Sequence, residues 1–232
     1  MARFELRGLV LELPDAALRG GLERALASGR YENTEADAIL RHLRAGDRFL
    51  DLGAGLGYLC ALAAREIGAA AVAGVEAGPE TLELARANLA RNGYGAAALR
   101  HGAVTAGDGA TVDFLQRPAF WASALRREDG EALPGRVVAV PVLDLAALLA
   151  WHRPTVLSCD IEGAEIDVLT AAALATPEAR ALRVIVAEIH PRIYGGEGVR
   201  QLFDAFSAAG FAYTPEGSRG ATVVWERIAP PL

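Results

Sequence analysis

Phe49-Leu50-Asp51-Leu52-Gly53-Ala54-Gly55-Leu56-Gly57 is the stretch on which the fold turns. A short apolar strand runs into a glycine-rich turn, and the turn opens a helix. Glycine lets the backbone bend sharply and lets a ligand approach without a Cβ in the way. The helix N-terminus beyond it offers unpaired N–H groups to an anion, such as the carboxylate of a cofactor. Asp51, at the strand end, is placed to hold an ammonium or to order water beside it. A dinucleotide fingerprint would need Gly-x-Gly-x-x-Gly/Ala. Counted from Gly53, its third glycine position is Tyr58, too bulky for close helix–strand packing, so an NAD-type enzyme is the alternative reading.

Around this turn the chain alternates strand and helix. A short N-terminal segment of β character precedes two helical stretches, Asp15 to Ala27 and Thr34 to just before Gly46, where Thr34 and Asp37 have capping-box spacing. After the strand Arg48–Leu52 come helix Leu56–Ile67, strand Ala71–Glu76, helix Pro79–Arg91 and strand Ala97–His101. Pro79 opens its helix and Gly93 follows its end, the usual asymmetry. An irregular stretch, Thr105 to Pro134, carries an added strand at Thr111–Leu115, and Arg136–Val140 looks like another. Then follow helix Leu143–Ala150, strand Thr155–Cys159, helix Glu165–Leu174, strand Arg183–Ile189 and helix Val199–Ala209. Strands Phe211–Thr214 and Ala221–Arg227 close the chain around a Pro-Glu-Gly turn.

Leaving the added strands aside, this predicts an α/β fold with a seven-stranded, mostly parallel Rossmann-like sheet and helices on both faces. The last two strands lie too close in sequence for a crossover helix, so they form a terminal antiparallel hairpin. Residues 1–46 read as a strand-and-helix appendage and 47–232 as a cofactor-binding domain with an insertion at about 105–140.

Composition narrows the class. The 232 residues are 52% hydrophobic, enough for a sizeable core, and the net charge is −6 with both signs mixed along the chain. A nucleic-acid binder concentrates Lys and Arg on one face, so no nucleic-acid partner is expected. Cys60 and Cys159 sit in apolar runs and read as buried thiols, which points to a cytoplasmic protein. The N-terminus alternates charged and apolar residues, unlike a signal peptide. The longest apolar run, Val137–Ala150, is broken by Pro141 and Asp144 and is too short to cross a bilayer. No membrane partner is expected, and a homodimer is left open.

Glu76 ends the second strand about 20 residues past the glycine turn, where a carboxylate can accept both hydroxyls of a ribose. The plainer alternative is a charge favouring the helix N-terminus at Pro79. The third strand ends in His101-Gly102-Ala103, whose small residues leave room for an adenine that His101 could stack on; a solvated or core histidine is the alternative. The candidate cofactor-binding set is therefore Asp51, Gly53, Ala54, Gly55, Gly57, Glu76, Ala77, His101, Gly102 and Ala103.

Val156-Leu157-Ser158-Cys159-Asp160-Ile161-Glu162-Gly163-Ala164-Glu165 is the second signal. Its strand delivers Asp160 to the carboxyl edge of the sheet, where open α/β folds hold their ligands. Three carboxylates so close together are unfavourable unless a cation or polar substrate offsets them, although Glu165 could simply favour a helix N-terminus. With the Asp51–Gly55 turn, this stretch resembles the FkbM-type S-adenosylmethionine-dependent methyltransferases. The likeness continues through Gly102–Leu115, Pro141–Leu145, Val186–His190 and Gly210-Phe211. Cys159 and Ser158 depart from it, Ser158 standing where a lysine is usual. The resemblance implies S-adenosylmethionine as cofactor and O-methylation of a hydroxyl on a small or glycosylated molecule, and the terminal hairpin agrees with a methyltransferase sheet; a non-catalytic scaffold that kept this fold is the other alternative, disfavoured because Asp51, the glycines, Glu76 and Asp160 are all intact.

Such a reaction needs alignment and, for a hydroxyl acceptor, a general base. Asp160, Glu188 and His190 stand at or near strand ends, and His190 has the best-matched ordinary pKa. His190 capping the Pro191 turn is the bland alternative. The same three residues could instead hold a divalent cation such as Mg²⁺ that activates the acceptor. Phe120 and Trp121 are expected to help form the acceptor pocket.

Overall fold

Phe49–Leu52 is buried along its whole length, as a central parallel strand covered on both faces must be. The computed structural model describes residues 1–19, 21–107, 109–117, 124–125 and 135–228. A hairpin of β1 (Ala2–Leu6) and β2 (Leu9–Leu13) leads to α1 (Leu22–Ala27) and α2 (Asn33–His42). Then come β3 (Phe49–Leu52), α3 (Tyr58–Ile67), β4 (Val72–Glu76), α4 (Pro79–Arg91), β5 (Ala98–His101) and β6 (Ala103–Val104). The inserted strands are β7 (Thr111–Gln116), β8 (Ala124–Leu125) and β9 (Arg136–Leu143). The chain continues with α5 (Leu145–His152), β10 (Val156–Cys159), α6 (Glu165–Val168), α7 (Ala171–Leu174), β11 (Val184–Glu188), α8 (Pro191–Ala208), β12 (Phe211–Arg219) and β13 (Thr222–Arg227).

The main sheet has seven strands in the order β12-β13-β11-β10-β3-β4-β5. All neighbours from β11 to β5 pair in parallel, and β13 runs antiparallel to both β11 and β12. The predicted sheet and its closing hairpin are both present. From β3 the chain winds outward to β4 and β5, and from β10 it winds the other way. The crevice between the ends of β3 and β10 is thus the topological switch point, the place where such sheets bind ligands.

One apolar cluster joins Leu11, Leu26 and Ile39 to Phe49, Tyr58 and Leu62, so residues 1–46 share a core with one face of the sheet. A second cluster, with Leu148, Leu202, Phe206 and Trp225, covers the other face. β2 is an edge strand whose backbone needs partners. Asn88 on α4 and Asn92 just past its end supply them: their Oδ1 atoms accept from Glu12 N and Val10 N at 2.9 Å each, and Asn92 Nδ2 donates to Val10 O at 2.8 Å. A smaller sheet, β6-β9-β7-β8, joins strands of the insertion to β6 just before it. Phe120 and Trp121 lie outside the described residues. Among the described residues no helix is long and apolar enough to cross a membrane, and both cysteines are buried free thiols.

Local chemistry moved several element boundaries. The first helical stretch is a 3₁₀ turn at Asp15–Ala17 followed by the short α1. α2 starts one residue early, after Glu32 in a left-handed conformation, and no side chain caps it. Asp37 pairs instead with Arg7 at 2.6 Å. α5 begins after Asp144, whose Oδ1 accepts from Ala147 N at 2.8 Å, so Leu143 stays in the strand. The helix expected over Glu165–Leu174 breaks in two, because extended Thr170 caps a second helix by accepting from Ala173 N. α8 starts at Pro191 rather than Val199, with non-helical Gly195 inside it. Pro215-Glu216-Gly217 is an irregularity within β12, and the hairpin turns at Gly220 instead.

Candidate active site

Register explains how two motifs distant in sequence meet. β10 pairs with β3 so that Ser158 faces Asp51, and Asp160 N donates to Leu52 O at 2.9 Å. Immediately beyond, Gly53 turns with φ +91°, and a Cβ built on it would stand 1.9 Å from the Asp160 carbonyl oxygen. Only glycine lets the β3 turn lie against the end of β10. Gly53 N and Ala54 N both donate to Val75 O, at 3.0 and 2.8 Å, tying the same turn to β4.

A cavity of about 870 Å³ opens over this crevice. Of the candidate cofactor residues, Gly53, Gly55, Glu76, Ala77, Gly102 and Ala103 line it, and so do Asp160, Glu188 and His190. Asp51, Ala54, Gly57 and His101 do not. Asp51 is 2% exposed; the Cys60 thiol donates to it at 3.5 Å and Ser158 also bonds it. Ser158 thus sets a small hydroxyl against a buried acid. Gly57 and Tyr58 serve packing. A Cβ on Gly57 would come within 3.1 Å of Ala85 O, and Tyr58 packs into the N-terminal layer beside Tyr31, ring centroids 6.0 Å apart. His101 places Nε2 3.0 Å from Ala77 O, linking β5 to the loop after β4.

Glu76 faces the cavity with each carboxylate oxygen already holding one backbone donor, Gly55 N at 2.9 Å and Gly78 N at 2.7 Å. Burial nevertheless pushes its pKa up to about 7, and burial does the same to Asp51. Carboxyls raised in this way stabilise the folded chain fully below their unfolded values near pH 4, and that stability is lost as pH rises through about 7. The ligand-free protein should therefore melt roughly 10 °C lower near pH 8 than at about pH 5.5. Asp51→Asn should remove part of that fall. A melting temperature that held steady or rose over this interval would contradict it.

The opposite end of the cavity is acidic. Burial, then the charges of Glu188 and Glu162, hold the Asp160 pKa well above the ordinary carboxylate range. Glu188 is raised too, chiefly by burial, and is hydrogen-bonded to Asp160. Glu162 is pushed up to about 7 by burial. His190, 15% exposed, lies among three carboxylates: Nδ1 is 3.2 Å from Glu165 Oε1, and Nε2 is 3.6 Å from both Asp160 Oδ1 and Glu162 Oε2. Burial disfavours its charge, but these neighbours outweigh burial and raise its pKa. Glu165 is wholly buried, and its Oε1 accepts from Ile161 N and Gly163 N, closing the turn between β10 and α6. For a metal, the groups among the described residues whose ligand atoms lie within 4.8 Å of one another are Asp160, Glu162 and His190. The expected third ligand, Glu188, is not in that group; its carboxylate is hydrogen-bonded to Asp160.

Comparison with known proteins bears on this architecture. Residues 43–110 match a family model described as a methyltransferase domain. Trm1 from Pyrococcus horikoshii, solved in complex with S-adenosyl-L-methionine, superposes with a TM-score of 0.51 at 16% identity, covering 97% of this chain and 61% of that one. This is a methyltransferase fold. The ribosomal protein L11 methyltransferase of Thermus thermophilus is 46% identical over 71 residues. That match spans 30% of this chain and 27% of the curated relative. An O-methyltransferase from Bacillus cereus, solved with SAH, is 14% identical with a TM-score of 0.47, covering 93% of this chain and 91% of that one.

Within the methyltransferase fold, the N-terminal layer contributes cavity residues that the sequence motifs did not indicate. Tyr31, Glu32 and Glu35 form one wall, and Arg219 to Thr222, at the tip of the closing hairpin, form another. Glu32 adopts φ +46°, a conformation that a side-chain-bearing residue holds only when its surroundings enforce it. It is bonded to Tyr31, and burial raises the pKa of both. Glu35 accepts from the Thr222 hydroxyl, joining the two walls. The one local sign was the lone aromatic-acid pair Tyr31-Glu32 between two helical stretches.

Proposed function

We propose that this protein is an S-adenosylmethionine-dependent methyltransferase of the FkbM type that methylates a hydroxyl of a small or sugar-containing molecule. One observation carries the reading: a single cavity has the glycine turn and Glu76 at one end and Asp160, Glu188 and His190 at the other. The residues present fit the cofactor. Glu76 keeps acceptor capacity for a ribose hydroxyl beside its backbone donors. Glu32 takes the ammonium in place of Asp51: a Cβ on Gly55 would be 3.5 Å from its Oε1, whereas Asp51 is not among the residues that line the cavity. Gly102 and Ala103 leave room at the adenine end.

When bound, S-adenosylmethionine supplies a methyl group on a sulfonium that is already a good leaving group. The chain's own task is to orient the acceptor and remove its proton. The hydrogen-bonded Asp160–Glu188 pair is suited to that, since two facing carboxyls with raised pKa accept a proton readily near neutral pH. The carboxylate neighbours of His190 favour its charged form, so it brings positive charge to the cluster and is less free to accept the proton. The reading needs no divalent cation.

Calorimetry tests it. The chain should bind S-adenosylhomocysteine tightly and give no heat with NAD, as Tyr58 in the third glycine position indicates. Tight NAD binding with no S-adenosylhomocysteine heat would overturn the proposal.

A further inference from the structure

Resting on that reading of the cofactor, a further step concerns how the chain recognises its amino-acid tail. A glycine turn at a helix start ordinarily offers its N–H groups to an anion, here the tail carboxylate. In this chain each of those groups from Gly53 to Gly57 already has an acceptor inside the protein. Gly53 N and Ala54 N donate to Val75 O, Gly55 N to Glu76 Oε2 and Gly57 N to Ala54 O. Leu56 N donates to the phenol oxygen of Tyr31. Recognition of the tail therefore falls to side chains beside the turn.

Tyr31 and Glu32 stand there. Both line the cavity, and a Cβ built on Gly55 would lie 3.2 Å from Tyr31 Oη and 3.5 Å from Glu32 Oε1. Tyr31 is 8% exposed and belongs to the apolar cluster that joins the N-terminal layer to the sheet. Its ring packs on Tyr58 at the start of α3, so the hydroxyl has a fixed place. Burial first, then the neighbouring charge of Glu32, hold its pKa well above the ordinary tyrosine value. The phenol thus keeps its proton and donates it to the Glu32 carboxylate.

Glu32 is constrained at both ends. Its backbone is left-handed and committed to α2, where Glu32 O accepts from Ala36 N at 2.9 Å. Its side chain is tied to Tyr31. A carboxylate held in this way loses little freedom when it grips a ligand. It also keeps lone pairs for an ammonium beside the one that Tyr31 uses. Burial disfavours its charge in the ligand-free chain, and an ammonium beside it restores the charged form. We infer that the cofactor tail is recognised through its ammonium rather than its carboxylate, and that Tyr31 is the positioning residue that fixes Glu32 beside Gly55 to receive it.

The test compares three ligands by calorimetry: S-adenosylhomocysteine, its decarboxylated analogue, which keeps the ammonium, and methylthioadenosine, which lacks the whole tail. Loss of the carboxylate alone should change affinity by less than about threefold, and loss of the ammonium as well should weaken binding about tenfold or more. Glu32→Gln should weaken the two ammonium-bearing ligands about tenfold and methylthioadenosine by less than about twofold. Tyr31→Phe keeps the ring on Tyr58 and should show the same selective loss, about three- to tenfold. Because Tyr31 acts through Glu32, adding Tyr31→Phe to Glu32→Gln should change little beyond the glutamine variant alone.

The inference is overturned if Tyr31→Phe weakens all three ligands equally or none of them, or if the two substitutions add. A decarboxylated analogue that binds no better than methylthioadenosine overturns it too, and that ranking on the wild-type chain decides even if Tyr31→Phe does not fold. Tight S-adenosylhomocysteine binding indifferent to both substitutions would remove this inference and leave the methyltransferase reading standing. Binding of none of the three ligands would sink both.

Discussion

Gly53→Ala should cost the protein about 4 kcal/mol or more and lower its melting temperature by roughly 8–16 °C. Two separate penalties add. The residue sits at φ +91°, where a Cβ is strained, and that Cβ would lie 1.9 Å from the Asp160 carbonyl oxygen. No side-chain rotation relieves a collision between two backbones. Either the β3 turn or the β10 end must move, and Gly53 N and Ala54 N are both bonded to Val75 O. The damage should therefore reach the cavity as well as the core. Gly46 is a contrasting control, since a Cβ there meets nothing within 4 Å although its φ is +88°. Gly46→Ala should show the conformational penalty alone, about 1–3 kcal/mol. Equal melting temperatures for the two variants would refute the steric account.

Glu76→Ala should weaken S-adenosylhomocysteine binding by roughly 2–4 kcal/mol, about 30- to 1000-fold in dissociation constant. Two hydrogen bonds to the ribose account for much of this. The rest comes from the turn itself, because the same carboxylate accepts from Gly55 N and Gly78 N, so its removal frees both loops that shape the cavity. Glu76→Gln separates the contributions: it keeps one acceptor oxygen and loses the charge, and it should fall between wild type and alanine. The raised pKa of Glu76 also sets a pH dependence. Binding that uses the carboxylate should strengthen as pH rises through about 7 in wild type and be flatter in the glutamine variant. An unchanged dissociation constant in folded Glu76→Ala would remove this residue from the site.

Strand and helix alternation, the glycine turn and the short final connection were sufficient to derive the seven-stranded sheet and its closing hairpin. These features are local, because periodicity and turn chemistry act over a few residues. Boundaries were legible where a capping residue was unambiguous, as at Pro79, and misread where two signals competed. Asp144 and Thr170 each looked like helix interior yet cap the helix that follows them. The run Gly195-Gly196-Glu197-Gly198 hid the first turns of α8, since glycine ordinarily disfavours a helix that here is held by packing around Leu202 and Phe206.

The sequence by itself determined the architecture and which strand ends carry acidic groups, because each of those features is written in a contiguous stretch. Only the tertiary structure decided which acids meet. Asp51 is buried and bonded to Ser158, its neighbour across the β10 register, while the residue that opens α2, Glu32, is brought over Gly55. Glu188 faces Asp160, Glu162 closes on His190, and Glu35 reaches the hairpin tip at Thr222. These encounters depend on strand order and layer packing, and no spacing along the chain encodes them.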